Sequence, residues 1–311
     1  MIKALIKQHA YLISGLSVAS EIELSGVTSS PTIASKPQVC IFKGKVPESL
    51  PEASATGVNW ALTKDTFLLQ IPRIARFYVS QGSEIIVEPR PSVDDAAIVP
   101  FLLSTAFGAL LHQRGECVLH ASVVSHENKA VALCGNTGIG KSTLCAALCF
   151  AGYRFIADDM ALIRLDKQQK PSVLADSRQH RLWQDAIHLL GLNERKGEPV
   201  RDCIEKYHIA PVSGIVTDSI TLKTIILLKR AEVRDQLPEI KRLRVADAAA
   251  LLRNEVFRPN LASKMGRDAD LFQQIAQLLK HVDVFMLTRP QEINQLDAVV
   301  KLAQQTIEEL G

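Results

Sequence analysis

The sequence predicts an α/β protein with a smaller β-rich segment ahead of its main body, on three observations. Short apolar or alternating runs, separated by Pro, Gly and Ser, fill residues 1–92. Strand-like and helix-like runs alternate from residue 117 onward. Between two of them lies "GNTGIGKS", residues 135–142, a glycine-rich turn whose chemistry requires a strand before it and a helix after it. We therefore expect a β-rich N-terminal domain over 1–92 and an α/β domain that carries the glycine-rich turn over 93–311.

In the first part, "VCIFKG", "TFLLQI", "ARFYVS" and "SEIIVEP" read as strands, and "SQGSE" (80–84) as a hairpin turn. The stretch 25–37, rich in Ser, Thr and Pro, reads as a surface loop. After "RPSVDD", the run 96–115 carries apolar residues at helical spacing and closes on Gly115. Then come a strand "CVLHASVVS", a turn "HENK", a strand "AVALCG", the glycine-rich turn, a helix "TLCAALCFAG" and a strand "YRFIADDMALIRL". Further on we expect a buried strand over 221–230, helices over 245–257 and 268–282, a strand over 284–290 and a closing amphipathic helix.

Composition narrows the function class. With 36 basic and 33 acidic residues the net charge is +3, too near balance to mark a nucleic-acid or membrane surface, so an anion site must be local. The six cysteines, Cys40, Cys117, Cys134, Cys145, Cys149 and Cys203, show no CxxC or metal spacing and read as reduced core thiols of a cytoplasmic protein. No export signal and no run approaching 18 apolar residues is apparent by eye.

Gly135-Asn136-Thr137-Gly138-Ile139-Gly140-Lys141-Ser142 fits the phosphate-loop pattern, with Thr143 following. Glycines let backbone N–H groups turn inward around phosphates, Lys141 supplies a point charge to the outer phosphates, and the Ser142 hydroxyl can ligate Mg²⁺. Asp158 and Asp159 end an apolar strand shortly afterwards. Two adjacent carboxylates can divide two tasks: one holds Mg²⁺, the other accepts a proton from the attacking hydroxyl. The alternative is that both serve only the metal in a nucleotide switch or motor, or that one caps a turn. His120, flanked by apolar residues in the strand before, reads on its own as a structural histidine.

The ordered set "LHASVV", "GNTGIGKS" and "AGYRFIADD" resembles the catalytic domain of HPr kinase/phosphorylase, over about 50 residues. The resemblance implies the mixed-sheet P-loop core that this family shares with phosphoenolpyruvate carboxykinase, and the use of ATP and Mg²⁺. It implies Asp158 as the base that deprotonates an acceptor serine, His120 beside it, and Asp159 as a supporting, metal-side acid. Where the family carries a metal-binding Glu, this chain reads "LADSRQHRLWQDAIHLLGL", so Asp176 is the nearest carboxylate and a third Mg²⁺ candidate. That departure leaves the phosphorylase activity outside the expectation. The first 90 residues differ from the family's N-terminal domain, and the whole chain looks more like the HPr-kinase-related enzymes of peptide-modification clusters, including lasso peptide kinases. The implied partner is a peptide or small protein bearing a serine, which the 1–92 domain would hold for recognition while the catalytic domain over 93–311 transfers phosphate. Charge balance and hydropathy, not the resemblance, give the expectation of no nucleic acid and no membrane. A homo-oligomer is compatible with the resemblance.

Three functions remain open from sequence: a serine kinase acting on a peptide, a kinase of a small hydroxylated metabolite, and a regulatory module that only binds nucleotide. Arg181 and Trp183 can face a ligand, although helical apolar spacing favours a core Trp. Glu205 and Lys206 suit a lid or a surface turn, and the eight basic residues of 229–258, Arg234 among them, read mostly as a solvated face. Of that set Arg253 and Arg258, and beyond it Arg289, are candidates for a phosphate contact.

Overall fold

Along "ARFYVS" and "EIIVEP" buried and partly exposed residues alternate, so each strand offers one apolar face to a core. A computed structural model of the chain describes residues 9–30, 36–201, 204–211, 216, 218–233, 236–291 and 295–309. Cys203, Arg234 and part of the loop 25–37 lie outside them. Strands β1 (His9–Ile13), β2 (Leu16–Ser20), β3 (Val39–Lys43), β4 (Ala55–Thr56), β5 (Trp60–Leu62), β6 (Thr66–Ile71), β7 (Ala75–Ser80) and β8 (Glu84–Pro89) form the first sheet. Its order is β1-β2-β3-β8-β7-β6-β5-β4, parallel at β2–β3 and β3–β8 and antiparallel elsewhere. The hairpin turn expected at 80–84 joins β7 to β8, with Gln81 and Gly82 both at positive φ.

Helices α1 (Asp95–Phe101) and α2 (Phe107–Gln113), joined by a wide turn at Leu102–Ala106, pack under this sheet. Phe67, Phe77, Ile85 and Val87 meet Ile98, Leu102, Phe107 and Leu110, and the same cluster takes in Val118, Leu162 and Phe257. The apolar core thus runs across residue 92. Asp95–Gln113 also corrects the reading of the apolar runs: its 19 residues are long and apolar enough to cross a membrane, and 67% of that window is buried inside the fold.

The second sheet is built from β9 (Cys117–Leu119), β10 (Ala121–His126), β11 (Lys129–Cys134), β12 (Arg154–Ala157), β13 (Ala161–Leu165) and β14 (Pro171–Val173), with helix α3 (Lys141–Phe150) between β11 and β12. A small antiparallel sheet follows, with β15 (His180–Trp183), β16 (Lys196–Pro199) and β17 (Lys206–Ile209) in the order β15-β17-β16, and α4 (Gln184–Leu189) beside it. The chain then returns to the second sheet as β18 (Ile220–Arg230), β19 (Glu239–Arg242) and β20 (Asp283–Arg289). Around these strands lie α5 (Val245–Asn254), α6 (Pro259–Lys264), α7 (Asp268–Leu278) and α8 (Leu296–Glu309).

The long strand β18 pairs in parallel with both β11 and β20, and antiparallel with β14. This sheet is covered on two faces. Val131 and Leu133 pack with Leu144, Leu148, Val299 and Ala303 of α3 and α8, while Ala130 and Ala132 pack with Leu252, Leu271 and Ile275 of α5 and α7. Burial on both faces is why β11 reads in the sequence as a continuous apolar run rather than an alternating one. The architecture is therefore mixed α/β, with sheets of mixed direction.

Two expected strands are broken, and both breaks fall on candidate site residues. "CVLHASVVS" stops at His120, where β9 leaves to pair with β13 and β10 pairs with β11 and β12. "YRFIADDMALIRL" stops at Asp158–Met160, between β12 and β13. A strand that changes neighbours must leave the ladder for a residue or two, and those residues are freed to point elsewhere. Strands β1 and β2 and the small sheet were not expected from the sequence. The five described cysteines are free, all buried except the half-buried Cys40.

Candidate active site

The phosphate-loop pattern sits between β11 and α3, at the C-terminal end of a strand and the N-terminal end of a helix. Gly135, Gly138 and Gly140 have φ of 134°, 79° and 103°, a backbone that L side chains rarely adopt. At Gly135 a Cβ would also come within 2.8 Å of the Leu228 carbonyl oxygen, so this position requires glycine on two counts. The buried Lys141 curls back along the loop, and its Nζ donates to the carbonyls of Gly135 (2.6 Å) and Asn136 (3.3 Å). Ile139 is buried in the core, and its carbonyl accepts from Arg289 Nη1 at 2.7 Å.

Thr137, Gly138, Gly140, Lys141, Ser142 and Thr143 line a cavity of about 880 Å³, together with His120, Asp158 and Asp159. Arg181, Trp183, Lys206, Arg230, Arg258 and Arg289 line it as well, so several of the candidates weighed from sequence converge on it. Trp183 corrects the core expectation: it ends a strand, is 47% exposed, and looks into the cavity with the Lys206 ammonium 5.7 Å from its ring. Lys206 belongs to β17 rather than to a turn. In all, seven lysines and arginines face three carboxylates, the third being Asp185. Such a local excess on a nearly neutral chain selects a polyanionic ligand.

Asp158 is buried, and both its oxygens are occupied. Oδ1 accepts from the hydroxyls of Ser122 (2.6 Å) and Ser142 (2.9 Å), and Oδ2 from the Arg181 backbone N–H (3.0 Å). Burial pushes its carboxyl up, but the charges of Arg181, His180 and Lys206 outweigh burial and hold it below the usual range. Asp159 has φ of 78°, which costs a non-glycine residue about 1–2 kcal/mol and is held by its partners. Its Oδ2 lies 2.5 Å from Arg181 Nη2 and its Oδ1 3.6 Å from His120 Nε2. Burial is the largest influence here too, and Arg181 and His120 override it to depress this carboxyl strongly. Burial and the Lys141 charge lower His120, so the imidazole is neutral at neutral pH.

Asp176 does not line the cavity. Its carboxylate is buried against the Arg178 guanidinium and accepts from the Ser14 N–H at 3.0 Å and the Arg178 N–H at 2.9 Å, which leaves it occupied in joining the two large sheets. Arg253 is bound outside the site to Asp268.

One contact was missed by sequence reasoning. Glu255, at the end of α5, accepts from the Gly135 N–H at 2.7 Å, while its own carbonyl accepts from the His120 N–H at 2.7 Å. It ties the start of the glycine-rich turn to the break that carries His120. No local pattern could have flagged it, because its partner is 120 residues away.

No family model and no curated protein matches the chain. Among solved structures it is similar to the Hpr(Ser) kinase/phosphatase from Coxiella burnetii, at 13% identity over 62% of this chain and 92% of that chain, with a TM-score of 0.31. This is a weak structural neighbour.

Proposed function

We propose that the protein is an ATP-dependent kinase that transfers the γ-phosphoryl group to a serine hydroxyl of a peptide or small protein, with a precursor peptide as the acceptor. The observation that carries this reading is the meeting of Lys141 and Ser142 with Asp158, Asp159 and His120 in one cation-rich cavity. Glycine-loop amides and Lys141 suit the β- and γ-phosphates, and Arg230 and Arg289 suit charge on the transferred group.

Ser142 and Asp158 offer adjacent hard oxygen donors, the set Mg²⁺ takes, and they would hold it. When bound, Mg²⁺ supplies charge neutralisation on the phosphate oxygens. Asp159, with the neutral His120 against it, then faces the acceptor. This exchanges the tasks expected from the sequence for the two aspartates, because it is Asp158 that touches the Ser142 hydroxyl. In the transfer the acceptor oxygen bonds to the γ-phosphorus, the bond from that phosphorus to the β-bridging oxygen breaks, and the hydroxyl proton passes to Asp159 and on to water. The loose transition state needs little base strength, so a depressed carboxylate suffices to orient the hydroxyl and receive its proton late.

The test is incubation with Mg²⁺-ATP and serine-containing peptides, followed by intact peptide mass, with Asp158→Asn and Asp159→Asn beside it. Gain of one phosphoryl group that both variants impair supports the reading. ATP binding with no peptide modified would move a metabolite kinase or a nucleotide-binding module ahead of it.

A further inference from the structure

A second groove, of about 400 Å³, opens from the cavity mouth toward the edge of the first sheet. Its walls include Trp60, Phe101 and Leu261, with Asn59 and Asn260 beside them. Ser104, Arg201, Arg258 and Pro259 line both the groove and the cavity, so the two spaces are continuous at that point. Lys141, Arg230 and Arg289 line only the cavity. The cations therefore sort into a set around the phosphate loop and a pair at the groove mouth.

That pair is built and forms no close ion pair among the described residues. The Arg201 guanidinium lies 4.4 Å over the Phe101 ring, and Arg258 is held with φ of 50°, a left-handed backbone, at the start of α6. Among the described residues neither has a carboxylate within 4 Å, whereas the surface arginines Arg242, Arg244 and Arg253 each do. Burial and the neighbouring Arg201 lower Arg258 against the longer-range charge of Asp159, so this cation has lost solvation while holding no close ion pair among the described residues. The side-chain amides of Asn59 and Asn260 make no hydrogen bond among the described residues and can each donate to and accept from a peptide backbone.

We propose that this groove is the acceptor subsite, and that it takes an extended peptide with an acidic side chain next to the phosphorylated hydroxyl, held by Arg201 and Arg258, and an apolar side chain further out against Trp60 and Phe101. The proposal rests on the kinase reading for its orientation: the hydroxyl points toward Asp159, and the peptide leaves along the groove.

The chain has two tryptophans, so Trp183→Phe leaves Trp60 as the sole tryptophan, read by excitation at the red edge where the four tyrosines do not absorb. Short synthetic peptides with a central serine and a leucine are titrated in three forms, flanked by Asp/Glu, by Asn/Gln or by Lys, in this variant and in the unaltered chain. The acidic form shifts Trp60 emission and the others do not. Arg201→Gln and Arg258→Gln, checked for an unchanged melting temperature, weaken the acidic peptide about tenfold or more while leaving affinity for a fluorescent ATP analogue within about twofold. Equal binding of acidic and neutral peptides, no Trp60 response, or loss of nucleotide rather than peptide affinity in the arginine variants overturns the proposal; the last outcome makes the pair a phosphate clamp. The two readings fail separately. Acidic peptide bound in the groove but never phosphorylated overturns the kinase, and phosphorylation indifferent to flanking charge and to both arginines overturns the groove.

Discussion

At Lys141 the ammonium of a buried side chain is satisfied by two carbonyls of its own loop. On the proposed reading, a bound phosphate would replace those contacts and bring charge-assisted bonds in exchange. Lys141→Ala is expected to lower transfer on the order of 10²–10³-fold, measured as kcat/KM for ATP. The aspartates separate by a different readout. Asp158→Asn raises the Mg²⁺ concentration needed for half-maximal rate, because it weakens the carboxylate beside Ser142; Asp159→Asn lowers kcat with the Mg²⁺ dependence unchanged. The reverse pattern would return the base to Asp158. Gly135→Ala forces a side chain onto a φ of 134° and toward the Leu228 carbonyl, and a loss of about 1–3 kcal/mol is expected from the denaturant midpoint. At this scale much was legible. The loop and the aspartate pair stand out by residue type and spacing and His120 only through the family resemblance, whereas Glu255 and the exposure of Trp183 depend on which distant element passes by.

The segment between β14 and β15 sews the first sheet to the rest. Gly15 N–H donates to Ala175 O at 2.6 Å, Ser177 N–H to Leu12 O at 2.9 Å, and Gln179 N–H to Gly26 O at 2.8 Å, while the Asp176–Arg178 pair encloses Ser14. Breaking a buried ion pair on one side leaves an uncompensated charge. Arg178→Met is expected to cost about 3–5 kcal/mol in urea unfolding, and adding Asp176→Asn should recover part of the loss. A full recovery by the double variant would mean that the pair serves orientation rather than stability. Long apolar elements such as β18 and the helices α5, α7 and α8 were readable because burial leaves a long periodic record. The small sheet β15-β17-β16 was not, because Arg181, Trp183 and Lys206 are spent on the cavity instead of on an alternating pattern. The two strand breaks were hidden for a related reason: a change of pairing partner is a tertiary event that the flanking residues do not encode.

Over the whole molecule, two buried histidines set an acid limit. His112, which donates from Nε2 to Phe257 O at 2.8 Å, is lowered to about 4 by burial and by the Arg267 charge; His208 is lowered to about 4 by burial and by Arg181. The unfolded chain protonates both near about pH 6.5. Their contribution to stability is therefore complete above that pH and is lost as pH falls from about 6.5 toward about 4. Melting temperature should drop across this window, and His112→Gln should make the drop shallower; an unchanged slope would exclude His112 as a contributor. The central sheet carries a further consequence, one of timing. β11 finds its neighbour β18 only after the small sheet has been made, and β18 finds β20 later still. On a ribosome adding about 5–20 residues per second, the Lys129–Cys134 edge waits on the order of ten seconds for its partner. During synthesis that unpaired apolar edge is where a chaperone, or a second nascent copy, would find this chain first.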